Sequence, residues 1–238
     1  MAFVRTKTVK GKKYRYLVEN YREDGKVRQR TIEYLGAVEN ENESMVTTPA
    51  NTKRISFEEY LNYDDGTNKL YELVDGELVK MPPASFLHSD IIDFIADLIK
   101  AIADENRLDI KVKTGDVGVK TGIDSSRIPD LAIIDGKAWR SYRRDKSAVI
   151  SSGVLLAVEV VSPGTEQIER DYIEKVSEYQ NSGIPEYWIV DPIEQKITVL
   201  VLEIEKGKYS KNVFKGNQAV SSASFPQLEV ATSEILSA

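Results

Sequence analysis

The chain has 238 residues, 32 Lys/Arg against 38 Asp/Glu for a net charge of −6, a single histidine and no cysteine. That length buries a full core and accommodates one medium domain plus a small appendage. The composition excludes disulfide staples, a thiol nucleophile, thiolate-bound zinc and a multi-histidine metal site, so any metal must sit on oxygen.

No apolar run approaches the roughly 18 to 20 residues needed to span a bilayer, and the basic start Met1 to Lys13 lacks the apolar segment of a signal peptide. A cytoplasmic location with no membrane partner is expected. The charge is unevenly spread: residues 1–36 hold ten Lys/Arg and four Asp/Glu, a net of +6, which leaves −12 for residues 37–238. A basic head preceding an acidic body raises the expectation of an anionic partner for the head.

Within the head, Tyr14-Arg15-Tyr16-Leu17-Val18-Glu19-Asn20-Tyr21-Arg22 and Val27-Arg28-Gln29-Arg30-Thr31-Ile32-Glu33-Tyr34-Leu35-Gly36 alternate on either side of Asp24-Gly25. Asp-Gly between alternating runs signals a β-hairpin. The segment resembles a small basic module at the start of some bacterial transposase-like proteins. Two readings stand for residues 1–36. Lys12, Lys13, Arg15, Arg28 and Arg30 contact nucleic-acid phosphates with Tyr14, Tyr16 and Tyr21 available for stacking, or the hairpin simply carries a solvated charged face. Residues 37–52 have few large apolar groups and no period, and read as a linker.

A second domain, residues 53–238, opens at Ser56, where Glu59 three residues on completes a capping box for a short helix. A hairpin follows over Lys69 to Lys80, turning on Asp75-Gly76 and ended by Pro82-Pro83. Leu87, Ile91, Phe94, Ile95, Leu98, Ile99 and Ile102 recur at helical spacing and predict an amphipathic helix from Phe86 to about Asp104. Strands are expected at Leu108 to Lys113, Val117 to Thr121, Pro129 to Ile134 and Val154 to Ser162. A helix from about Glu166 to Asn181 and a strand at Glu186 to Asp191 come next, then a strand at Lys196 to Glu203 pairing with the segment around Lys208 to Phe214. This order predicts an α/β fold with a mixed sheet flanked by helices.

Two carboxylates interrupt apolar strands: Asp130 in Arg127-Ile128-Pro129-Asp130-Leu131-Ala132-Ile133-Ile134, and Glu159 in Leu155-Leu156-Ala157-Val158-Glu159-Val160-Val161. A carboxylate in a buried run is costly unless it is paired or binds a cation. Two of them point to one shared divalent-metal site and to phosphoryl-transfer chemistry.

Taken with Glu72-Leu73-Val74-Asp75-Gly76-Glu77-Leu78, His88, Val158-Glu159-Val160-Val161-Ser162-Pro163, Lys175 with Tyr179, and Gly183-Ile184-Pro185-Glu186-Tyr187-Trp188-Ile189-Val190-Asp191, these residues resemble the Uma-two family of restriction-endonuclease-like, or PD-(D/E)XK, nucleases. The match runs from about Ser56 to the C-terminus. The resemblance implies Mg²⁺ (or Mn²⁺) held by Asp130, Glu159 and the main-chain oxygen of Val160, a nucleic acid as substrate, with DNA favoured over RNA though the sequence pattern does not tell them apart, and a homodimer. The lysine that the nuclease pattern expects two residues after the glutamate is replaced by Val161. Lys175 matches the helix position to which the family passes that role, with Asp171 and Glu178 expected to face solvent. Glu72 and Glu77 are both candidates for a further acidic residue, Glu77 slightly preferred because it directly follows the turn. His88 matches the family histidine, either as a structural hydrogen-bonding group or as a contact to substrate phosphate or metal-bound water. The segment Asp135 to Lys146, with Arg140, Arg143 and Arg144 among its basic groups, is either a phosphate-and-base contact loop beside the site or a solvated insertion.

The resulting expectation is a Mg²⁺-dependent endonuclease acting on DNA. Its rivals are a nucleic-acid-binding module of the same fold without turnover, and an accessory protein with a protein partner.

Overall fold

The computed structural model describes residues 54–238, preceded by the backbone of β1 (Ala2–Val9), β2 (Lys12–Glu23) and β3 (Lys26–Ala37). The chain divides into two compact units, Met1–Asn51 and Thr52–Ala238. In the first unit the three strands form an antiparallel sheet in sequence order. The hairpin reading therefore missed one strand. β1 pairs with β2 from Ala2↔Glu19 to Val9↔Lys12, its Thr and Val residues suiting an extended backbone. The Asp24-Gly25 turn and residues 38–52 of the proposed linker lie outside the described residues.

The second unit begins with α1 (Phe57–Leu61), closed by the capping box in which Ser56 Oγ accepts from the Glu59 amide and Glu59 accepts from that of Ser56. β4 (Tyr71–Val74) and β5 (Glu77–Lys80) form the expected hairpin. Asp75 and Gly76 take φ of 49° and 79°, the pair of positive values that a tight two-residue turn requires. α2 (Phe86–Asn106) starts at the N-cap Ser85, whose hydroxyl accepts from the His88 amide. Its Ile91, Ile95 and Ile99 are fully buried on one face.

Next come β6 (Ile110–Thr114), β7 (Gly118–Gly122), β8 (Ser125–Arg127), β9 (Leu131–Asp135), α3 (Gly136–Ser141), β10 (Val149–Ile150) and β11 (Val154–Val160). α4 (Thr165–Glu169) and α5 (Lys175–Asn181) are joined through one π-helical turn, Arg170–Glu174, where an uninterrupted helix was expected. β12 (Glu186–Asp191), β13 (Lys196–Glu203), β14 (Lys208–Lys215) and the C-terminal α6 (Thr232–Leu236) complete the chain.

The strands of this second unit form two mixed sheets rather than one. The six-stranded sheet runs β14-β13-β12-β11-β9-β6, with β11 and β12 parallel; the five-stranded sheet runs β10-β7-β8-β4-β5, with β10 and β7 parallel. The chain leaves the larger sheet after β6 through Gly115, at a positive φ of 59°. β7 and β8 then pair with each other and with β10 and β4.

Side-chain alternation sorts the larger sheet into two buried faces. Leu156, Val158 and Val160 of β11 and Trp188 and Val190 of β12 pack with α2 and the C-terminal segment. Ala157, Val161, Tyr187 and Ile189 pack on the other face with Val117, Val119, Tyr179 and Ile184. Glu159, lying between Val158 and Val160, belongs by parity to this second face, the one covered by α5. No helix among the described residues is long and apolar enough to cross a membrane.

Candidate active site

Register brings the two acidic residues together. β11 runs antiparallel to β9, and Val158 pairs with Leu131, so Glu159 and Asp130 lie at the same end of adjacent strands. The Val160 amide donates to Asp130 Oδ2 at 2.8 Å, tying the end of β11 to the segment before β9. His88 Nε2 reaches the same oxygen at 3.0 Å from the first turn of α2. Glu159 Oε1 accepts from the Tyr179 hydroxyl at 2.8 Å and meets Lys175 Nζ at 2.7 Å. Lys175 Nζ also stands 3.7 Å from both Glu72 Oε1 and Asp171 Oδ1.

Helical spacing presents Asp171, Lys175 and Tyr179 in four-residue steps along one line, and all three are buried. This corrects the expectation that Asp171 faces solvent: it is 0 % exposed. The Tyr187 hydroxyl also donates to the Asp171 backbone carbonyl at 2.9 Å. Glu178, also expected in solvent, is half-buried and accepts from Thr121 Oγ1 and Arg127 Nε, each at 2.8 Å.

The choice between Glu72 and Glu77 is corrected in the same way. Glu77 is exposed on β5, opposite Val74. Glu72 is 3 % exposed and accepts from the Ile128 amide at 3.0 Å and from Arg127 Nη1 at 3.1 Å. The buried Arg127 spans Glu72, Glu174 and Glu178 and so ties β4 and β8 to the α5 helix. Nothing in the sequence around Ser125-Ser126-Arg127 signals this hub. Glu72 did carry a signal, since it interrupts an apolar strand as Asp130 and Glu159 do.

The electrostatics follow from burial opposed by neighbours. Burial pushes the Glu159 carboxyl up to about 8; Lys175 opposes this, while Asp130, Asp171 and Glu72 add to it. Burial also works against charge on Lys175, but Glu159, Glu72 and Asp171 outweigh it and hold the ammonium above its ordinary range. Asp130, pushed up by burial, is held below its usual value by the His88 hydrogen bond and charge, Lys175 and the Val160 amide. The Lys175 ammonium and the Glu159 carboxylate form one coupled pair, each supporting the other's charge against the burial that opposes both.

Among the described residues no group of three or more His, Asp or Glu converges as a ready-made metal cage. Two carboxylates could serve as donors, each with its described contacts on one oxygen, Oδ2 of Asp130 and Oε1 of Glu159. Such a sparse set fits Mg²⁺, which keeps several waters, better than a cation requiring a complete protein cage.

The basic segment after β9 lies elsewhere. Asp130 precedes the five-residue β9 and α3 follows it, which separates them by about 17 Å at 3.3 Å per residue. The segment is a helix capped by Asp135, with Arg140 in a bidentate pair to Asp109 at 2.8 and 2.7 Å. Arg143 and Arg144 are exposed beyond it. Lys12, Lys13 and Arg15 fall on β2 and Arg28 and Arg30 on β3, where side chains lie outside the described part of the structure.

An α/β domain with an acid pair at the ends of neighbouring strands and a buried helix lysine is the arrangement of a nuclease-like fold. Residues 57–233 match the Uma2 family, described as "putative restriction endonuclease", and the chain belongs to that family. Residues 4–58 match the N-terminal domain of the IS1634 family transposases. The fold is similar to the crystal structure of "a putative nuclease belonging to DUF820" from Anabaena variabilis ATCC 29413, with a TM-score of 0.62 and 18% identity over 77% of this chain and 98% of that one. No curated protein matches the chain in sequence.

Proposed function

We propose that the protein is a Mg²⁺-dependent endonuclease that hydrolyses phosphodiester bonds of DNA. The observation that carries this reading is the Lys175 ammonium 2.7 Å from Glu159, on strand β11 whose Val160 amide holds Asp130. Asp130, Glu159 and the main-chain oxygen of Val160 would hold the ion. When bound, Mg²⁺ supplies a water of lowered pKa and neutralises charge on the scissile phosphate.

The chain's own residues provide the rest. Lys175 stays protonated and offers a fixed positive charge to the attacking water and to the oxygens on which charge builds in the transition state. Glu72 and Asp171 hold that ammonium from two further sides. This explains how the site dispenses with a lysine at the position of Val161, a buried core residue here. His88 orients Asp130 through Oδ2 and Tyr179 orients Glu159 through Oε1.

Calorimetric titration with Mg²⁺ and Mn²⁺, followed by plasmid nicking on the same samples, tests the proposal. Wild type is expected to take up metal and nick, and Asp130→Ala to do neither. Wild type that binds no metal and leaves plasmid intact, yet still shifts DNA in a gel, would make the protein a binding module.

The basic head supplies nucleic-acid affinity in this reading, supported by its charge of +6 against −12 for the rest. Replacing Lys12, Lys13 and Arg15 together by Glu is expected to weaken DNA binding and its salt dependence while leaving Mg²⁺ uptake unchanged. Unaltered DNA affinity would assign binding to the second unit alone. Pairing of two copies to cut both strands is part of the proposal, and sedimentation of the full chain with and without DNA tests it.

A further inference from the structure

Three cations, Arg127, Lys175 and Arg170, and the imidazole of His88 approach the acidic cluster among the described residues, and they differ in what they can still reach. The Arg127 side chain is 2% exposed and spans Glu72, Glu174 and Glu178. Lys175, 3% exposed, is enclosed by Glu159, Glu72 and Asp171. His88, 12% exposed, is committed to Asp130. Arg170 is 30% exposed, and its described contacts are with one partner, the wholly buried Asp171.

That contact is bidentate, with Nε at 2.8 Å from Oδ1 and Nη2 at 3.2 Å from Oδ2. A guanidinium carries five N–H donors in a rigid plane, so a carboxylate clamped on one edge fixes the plane and leaves Nη1 and the outer N–H of Nη2. Asp171 Oδ1 is in turn 3.7 Å from Lys175 Nζ, which touches Glu159. The guanidinium thus stands three contacts from Glu159, through Asp171 and Lys175, held at a fixed orientation and partly open to solvent. Arg170 opens the π-turn, and such turns recur at functional sites because the extra residue re-aims neighbouring side chains.

We propose that Arg170 is a substrate-binding residue that donates to a non-bridging oxygen of a backbone phosphate beside the scissile one. This rests on a nucleic acid being the substrate of the site. Neutralising Asp171 alone would not require solvent access, because the enclosed Lys175 already stands beside that carboxylate. A half-open, pre-oriented guanidinium suits an anion with two acceptor oxygens, and phosphate is such an anion.

The test is binding of the full chain to a labelled duplex over a salt series, in Ca²⁺, a hard cation that takes the same oxygen donors. Compared with wild type, Arg170→Gln is expected to reduce the slope of log K against log salt by about 0.9, the share of one phosphate contact. Affinity should fall about tenfold. Arg170→Lys should keep the slope. The double substitution Arg170→Gln with Asp171→Asn removes the ion pair as a unit, guards against misfolding from a stranded buried carboxylate, and should show the same reduced slope. A wild-type slope in both Arg170→Gln and the double variant would overturn the proposal and leave Arg170 as a counter-ion to Asp171. Wild type without salt-dependent binding would sink the nucleic-acid reading itself, and this inference with it.

Discussion

Glu72 and Glu77 are five residues apart on one hairpin, and their environments predict opposite consequences. Glu72 is buried between Arg127 and Lys175, whereas Glu77 is exposed. Removing one partner of a buried ion pair strands the other, so Glu72→Ala is expected to cost about 3 to 5 kcal/mol in urea unfolding. Glu77→Ala should stay within about 0.5 kcal/mol of wild type, as exposed substitutions do. Equal effects of the two would contradict the placement of Glu72. Legibility in the sequence was uneven at this scale. Asp130, Glu159 and Glu72 all stand out as charges within apolar strands. Preference for Glu77 rested on turn proximity, which fixes position along the chain but not which side of the hairpin meets the buried Arg127 and Lys175.

Elements carry these side chains to the site, and their ends matter more than their middles. His88 belongs to the first turn of α2, and its amide is the donor to the N-cap hydroxyl of Ser85 at 3.2 Å. Ser85→Ala is expected to cost about 1 kcal/mol of stability, read as a lowered urea midpoint with unchanged slope. An unchanged midpoint would mean that packing of the apolar α2 face alone fixes the helix start. Most element boundaries were readable, because period and punctuation agree. Ser56 with Glu59, Asp75-Gly76, and Ser182-Gly183-Ile184-Pro185 each mark an end by a local rule. The π-turn at Arg170–Glu174 was not readable. It keeps the helix axis and alters only the register, so apolar spacing alone does not reveal it.

In the larger unit, the buried charges lie where the α5 helix meets the five-stranded sheet and the end of β11 in the six-stranded one. This makes part of the stability depend on pH. Burial pushes Glu72 up, but Lys175, Arg127 and the Ile128 amide outweigh it and hold the carboxyl below its ordinary 4.5. A lowered native pKa means that the unfolded state binds the proton first on acidification. The contribution is therefore complete above pH 4.5 and is lost as pH falls through the native value. Thermal melts of wild type and Glu72→Ala from pH 7 to pH 3 should show a constant gap at the upper end that narrows below pH 4.5. A gap independent of pH would assign the loss to packing.

The sequence by itself determined what is local. Helix and strand periods, caps and turn residues defined the elements; the absence of cysteine and the single histidine confined any metal to oxygen; apolar runs broken by Asp130 and Glu159 named the acid pair. Only the tertiary structure decided which buried charges meet. Arg127, Asp171 and Arg170 enter the cluster because strand register, helix register and the packing of the helix on the strands bring together residues as far apart along the chain as Glu72 and Lys175. The physical reason is that periodicity records which side of an element is covered, whereas the free energy of a buried charge depends on what covers it.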